Sequence, residues 1–204
     1  MTRRPIIDAG PGLNFFSIHK ERLLIGTLGP LSAPETVELE VQRKARSDER
    51  FRAAEQVWRK LPPRLMEVLP DETTPELAAV VQRLTQLPMS ERIKQRKDLG
   101  ETMVIAHAVV AAQEGHNVTI LMDDGGGAAH ASSEIARLRR MKAAGADVGM
   151  VQLIGTHTVL EKAAGGEYLP GRTEMREIYA RLRGLDDGLP PIERTKLLSP
   201  EIWR

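Results

Sequence analysis

The sequence has no cysteine among its 204 residues. That absence excludes disulfides, thiolate zinc sites and cysteine nucleophiles together, and it fits an intracellular, cytoplasmic protein. Aromatic residues make up only 3% of the chain, so aliphatic side chains and alanine must fill most of the core. An excess of one charge is missing too: 29 Lys and Arg against 28 Asp and Glu leave a formal charge of +1. No global field gathers nucleic acid, and any affinity for it has to come from local basic patches. No apolar run approaches the ~20 residues that span a bilayer, so no membrane association is expected. The opening, Met1-Thr2-Arg3-Arg4-Pro5, is followed by too few apolar residues before Asp8 to read as a secretory signal.

What is present suits one domain with its own core. Pro5-Ile6-Ile7-Asp8 reads as a short buried strand ending in an acid, and the turn Gly10-Pro11-Gly12 leads to a helix over Leu13–Arg22. Leu31-Ser32-Ala33 gives a second strand, and Pro34 suits the first position of the next helix. Ser47-Asp48-Glu49 caps another helix that ends at Leu61, before Pro62-Pro63. Leu65–Leu69 reads as a strand, and Thr74-Pro75-Glu76 starts a helix reaching about Leu87. Ser90–Lys97 reads as a short basic helix. Between Gly100 and Gly115 the apolar residues run nearly all round a helix, which must therefore be buried.

Val118–Met122 is a continuous apolar strand followed at once by Asp123-Asp124-Gly125-Gly126-Gly127. A helix over Ala128–Ala144, a strand over Val148–Ile154 and helices from about Thr156 and Thr173 complete the pattern. Residues 1–188 are expected to form the domain, and the proline-bearing stretch 189–204 an extended tail. Short apolar strands alternating with helices point to an α/β fold with a parallel sheet covered on both faces.

In such sheets ligands bind beyond the carboxyl ends of the strands. Two strong strand candidates end there in acids, at Asp8 and at Asp123-Asp124. If those strands are neighbours, about 4.8 Å apart, their carboxylates can share a divalent cation that relieves their repulsion. An all-oxygen set suits Mg²⁺ or Mn²⁺. Each acid also has an ordinary reading. Asp8 and Asp123-Asp124 can be turn or cap residues, and Glu101 can serve the dipole of the helix it opens. Glu38 and Glu40 stand two apart on one helix, so at most one aims into a shared site.

Asp8-Ala9-Gly10-Pro11-Gly12-Leu13 after Ile6-Ile7 resembles the opening of PIN-domain ribonucleases. Pro34-x-x-Val37-x-x-Glu40-Val41 looks like that family's second motif, Leu99-Gly100-Glu101 like its third in a glutamate-bearing subgroup, and Leu121-Met122-Asp123-Asp124 like its fourth. Ile154-Gly155-Thr156, with Val159, Leu160 and Ala163, is similar to a strand-to-helix passage of one bacterial subgroup that includes VapC-like toxins. The resemblance runs from about Ile6 to about Gly188. The sequence departs from it in the three glycines after Asp124, where basic residues are usual, and in a longer, more basic stretch between Gln86 and Asp98.

The resemblance implies a three-layer fold whose five-stranded parallel sheet has the order 3-2-1-4-5. It also implies metal-dependent hydrolysis of RNA to 5′-phosphate and 3′-hydroxyl ends. Asp8, Glu40, Glu101, Asp123 and Asp124 become the catalytic acids, with Asp8, Glu101 and Asp123 as metal ligands. Which of Asp123 and Asp124 meets the metal stays open. The partners implied are RNA, a cognate antitoxin protein and a second copy of the chain.

The basic group Arg92, Lys94, Arg96 and Lys97 lies just ahead of Glu101, where it can meet RNA phosphates, although a solvated helix face reads equally well. The five histidines have no spacing that demands a metal, and His107, inside the apolar helix, reads as a hydrogen-bonded core residue. Gly125-Gly126-Gly127 can form an anion nest at a helix start, as in a flavodoxin-like phosphate site, but lacks the lysine of a P-loop. A non-catalytic module of the same fold, binding RNA or protein, is the other alternative.

Overall fold

The computed structural model describes residues 2–123 and 126–203. Five strands form one sheet: β1 (Ile6–Ile7), β2 (Leu31–Pro34), β3 (Met66–Leu69), β4 (Val118–Leu121) and β5 (Val151–Ile154). Their order is β3-β2-β1-β4-β5, and every neighbouring pair is parallel. Both residues of β1 and all four of β2 are buried, which is why these strands show no in-out alternation. β3, at one edge, leaves Glu67 and Val68 exposed.

The first two crossovers carry the chain outward from β1 to β3. The next brings it back across the sheet to β4, beside β1. The strand order therefore reverses between β1 and β4, and a crevice opens beyond their carboxyl ends. The register pairs Ile6 with Ile120 and Ile7 with Leu121, so Asp8 leaves β1 level with Met122. The Asp8 N–H still donates to Leu121 O at 2.9 Å, which fixes the height of the acid.

Helices cover both faces of the sheet. One set is α1 (Ala9–Ser17), α3 (Glu35–Ser47) and α4 (Arg52–Lys60), and another is α5 (Pro75–Thr85), α7 (Leu99–Gln113) and α8 (Gly126–Ala143). The remaining helices are α2 (Glu21–Leu28), α6 (Met89–Arg92), α9 (Thr156–Ala163) and α10 (Arg172–Arg183). α7 is buried nearly all round, from Leu99 through Ala112, as its composition requires. Among the described residues, no helix is long and apolar enough to cross a membrane.

Three segments differ from the sequence reading. The first helix starts at Ala9, directly after Asp8, because Pro11 falls in its first turn, where a missing N–H costs nothing. The chain then breaks at His19, whose φ is +56°, and restarts as α2 rather than running on to Arg22. The expected basic helix over Ser90–Lys97 is helical only through Arg92, and the chain turns through Asp98 at φ +54° into α7. The final stretch is not an extended tail: Leu189 and Leu197 are buried, Tyr179 donates to Pro190 O, and Trp203 Nε1 donates to Leu197 O.

Candidate active site

Asp8 stands between β1 and α1 with extended backbone (φ −85°, ψ 165°), only 9% exposed. The N–H groups of Ala9 and Gly10 face its carboxylate and favour the ionised form, although they do not reach capping geometry. Burial outweighs them. Together with the nearby charges of Glu40 and Glu101, it pushes the Asp8 carboxyl up from 3.8 to about 7.

Glu40 comes from the middle of α3. Burial raises its carboxyl above the usual range; the charges of Glu101 and Asp98 add to the rise, and Arg43 opposes it. The approach of α3 to α7 depends on Gly100. A Cβ on residue 100 would lie 2.7 Å from Glu40 Oε2, 3.4 Å from Val37 Cγ2 and 3.8 Å from Asp8 Oδ1. Asp8 and Glu40 therefore meet over the one position of α7 that has no side chain.

Glu101, the next residue, points the other way along the crevice, toward the start of α8. A Cβ on Gly127 would lie 2.7 Å from Glu101 Oε2 and 2.8 Å from Met122 Sδ. Burial and the charge of Asp98 raise the Glu101 carboxyl, while the Gly127 N–H and His130 favour its charge. The start of α8, which the glycine run offered as an anion nest, is thus filled by a carboxylate of this same chain.

Asp123 closes β4 on the neighbouring strand, as expected, but its carboxylate turns toward β5. Oδ1 accepts the Thr156 N–H at 2.6 Å and Oδ2 accepts the Thr156 hydroxyl, so Asp123 holds the first turn of α9. Gly155 permits this, since a Cβ there would lie 3.0 Å from Asp123 Oδ1. Burial raises the Asp123 carboxyl against the pull of Thr156, and Asp186 adds to the rise. Asp124 lies outside the described residues.

The acids thus fall into two groups at one end of the sheet, Asp8 with Glu40 and Glu101, and Asp123 with Thr156 and Asp186. Among the described residues, no three Asp, Glu or His side chains are placed to share one cation. The donor set itself suits a hard cation. It is all carboxylate, Asp8 is buried and the others half-buried, and burial raises every member that carries a shift, with a neighbouring like charge adding to each rise. Glu40 and Glu101 reach their places by flexible ends.

Three residues at the site were not singled out from sequence. Asp98 is exposed at the mouth, and its charge reaches both Glu40 and Glu101. Asn14, 3% exposed on α1, donates Nδ2 to Asp186 Oδ2 at 3.0 Å, across 172 residues of chain. Asp98 had a usable signal, an acid three residues before Glu101. Asn14 and Asp186 had none.

The basic group divides. Arg92 is not a surface cation: it is 5% exposed, and its guanidinium donates to Gln95 O, to Lys97 O at 2.8 Å and to Thr102 Oγ1 at 3.1 Å. It folds the linker onto α7, and burial lowers its pKa. Lys94 pairs with Glu91 at 2.8 Å, while Arg96 and Lys97 are exposed. His107 is hydrogen-bonded as expected, Nε2 meeting Asp71 Oδ1 at 2.8 Å. Glu38 accepts from Trp58 Nε1 at 2.9 Å and ties α3 to α4. Compared with protein families, with curated proteins and with solved structures, the chain has no match.

Proposed function

We propose that this chain is a divalent-metal-dependent ribonuclease of the PIN type, acting at the crevice that holds Asp8, Glu40 and Glu101. The observation that carries the reading is the convergence of these carboxylates at the switch point of a 3-2-1-4-5 parallel sheet, each let in by a glycine or a strand end. Isolated buried carboxylates cost stability; clustered ones cost more, and a cation offsets that cost.

Asp8 and Glu101 are the proposed ligands, with Glu40 beside Asp8 and Asp123 on the neighbouring strand. When bound, Mg²⁺ or Mn²⁺ supplies a more acidic water and neutralises charge on the phosphate. The chain's own part is to orient the scissile phosphate and to keep the acids largely out of bulk water. In this reading Glu40, whose carboxyl burial raises, takes the proton of the attacking water. The substrate in this reading is RNA, and the role extends to the toxin of a toxin–antitoxin pair in the cytoplasm, with growth arrest on expression as its cellular sign.

A second reading, a non-catalytic binding module of this fold, is favoured by one observation: the described side chains do not form a ready three-ligand set. Calorimetric titration of Mn²⁺ separates the two. The ribonuclease reading expects saturable binding that Asp8→Asn and Glu101→Gln each weaken strongly. Binding that is absent, or indifferent to both changes, favours the module.

A further inference from the structure

α3 presents Thr36, Leu39, Glu40 and Arg43 along one stripe, the spacing of a single helix face. Opposite it, the linker between α6 and α7 presents Ile93 and Arg96, with Leu99 below. Between them runs a cleft of about 370 Å³, within the range of small-ligand sites. Glu40 and Asp71 belong to its wall, Asp71 held by Thr36 and His107, so the cleft meets the acid cluster through Glu40.

Two features of its lining bear on what it could hold. Leu39 is 64% exposed and Ile93 47% exposed, two of the few large apolar side chains left in water, and both border this cleft. Arg43 and Arg96 are exposed, and among the described residues neither has a carboxylate within ion-pair distance. The cleft thus combines apolar walls with two exposed guanidinium groups, and Arg43 also acts on the charge of Glu40 in the same wall.

We infer that this cleft is a nucleotide subsite for single-stranded RNA, taking one unpaired base between Leu39 and Ile93 and the flanking phosphates on Arg43 and Arg96. The inference rests on the ribonuclease reading for the identity of the strand. The charge of the arginines complements phosphate, and their fork suits its oxygens. The aliphatic pair offers apolar contact to a base face. A base within a duplex is stacked and paired, and cannot enter; the A-form groove conceals it from such side chains. The site therefore selects unpaired RNA by shape, with little preference for sequence.

The test is fluorescence anisotropy in EDTA, where no cleavage occurs, with a labelled single-stranded RNA of mixed sequence and the same strand in a duplex. The wild type binds the single strand at least roughly tenfold more tightly than the duplex. Arg43→Gln with Arg96→Gln lowers single-strand affinity and reduces the salt slope by roughly 1.4, at about 0.7 per phosphate contact. Ile93→Ser lowers affinity and leaves the salt slope in place. Equal binding of the two forms, or variants that bind like the wild type, overturns the subsite; unchanged affinity assigns the cleft to a protein partner instead. Hydrolysis of bis(p-nitrophenyl) phosphate by the wild type with Mn²⁺ is measured in parallel. Hydrolysis without strand discrimination removes the subsite and leaves the nuclease. Strand discrimination that responds to these variants without hydrolysis removes the nuclease and leaves the subsite.

Discussion

The carboxylate of Glu40 occupies the space that a side chain on Gly100 would need, with Oε2 2.7 Å from the Cβ position. The obstructing atom is the end of a flexible side chain, so an added methyl group displaces Glu40 rather than the backbone. Gly100→Ala is therefore expected to cut metal-dependent activity at least roughly tenfold, while helix propensity raises stability by up to about 1 kcal/mol. Parallel melting curves and rate measurements check this. Loss of both properties together would mean that Val37, not Glu40, meets the methyl group.

The elevated Asp8 carboxyl gives a pH dependence of definite sign. Unfolded, it titrates near 3.8; folded, at about 7. Between those values the folded state holds a proton that the unfolded state has released, so this contribution is full below the lower value and is lost as pH rises through the upper one. The shift corresponds to an effect on the order of 4 kcal/mol. The raised carboxyls of Glu40, Glu101 and Asp123 act in the same direction. In EDTA, the melting temperature should fall from about pH 5 to about pH 8, and Asp8→Asn should flatten the fall. Mn²⁺ should stabilise the wild type more at the higher pH. A pH profile identical in the two proteins would remove Asp8 as its source.

Glu38 and Glu40 are separated by role as well as by face. Glu38 accepts a hydrogen bond from Trp58 Nε1, and glutamine can keep that bond through its carbonyl. Glu38→Gln should leave activity near wild type, and Glu38→Ala should cost about 1–2 kcal/mol of stability. Glu40→Gln should leave stability intact and depress turnover. Rate and melting measurements on the three variants distinguish this from a simple ranking of activities.

Arg92 yields a contrasting prediction. Its guanidinium donates to two part-buried carbonyls and to the buried Thr102 hydroxyl, so replacement by glutamine should cost roughly 1–3 kcal/mol. Lys94→Gln and Lys97→Gln, on exposed side chains, should change stability by no more than about 0.5 kcal/mol. Chemical denaturation of the three variants is the measurement, and equal stabilities would place Arg92 at the surface.

These residues show what could be read without coordinates. The acid ends of β1 and β4 were legible because each follows an uninterrupted apolar run, and α7 because it has no polar face. The strand order came through the PIN resemblance, not through periodicity. The orientation of Asp123 was not legible, since it depends on Thr156 arriving from the next strand. Nor was Arg92: in sequence it is one cation in a basic run, and only the short α6 and the turn at Asp98 fold it inward. The terminal prolines suggested an extended arm, whereas Leu189 and Leu197 dominate by burial. The contact of Asn14 with Asp186 is a product of tertiary packing alone.

On the proposed reading, the Asp8, Glu40 and Glu101 crevice hydrolyses RNA with a divalent cation. Its most direct test incubates single-stranded RNA with wild-type protein and Asp8→Asn in Mn²⁺, Mg²⁺ and EDTA, and identifies the product ends. The wild type should cleave with either metal and not in EDTA, leaving 5′-phosphate and 3′-hydroxyl ends. Asp8→Asn should lose more than the roughly 10–100-fold that removing an outer-shell partner costs. Cleavage in EDTA, cyclic-phosphate products, or wild-type turnover by Asp8→Asn would contradict it.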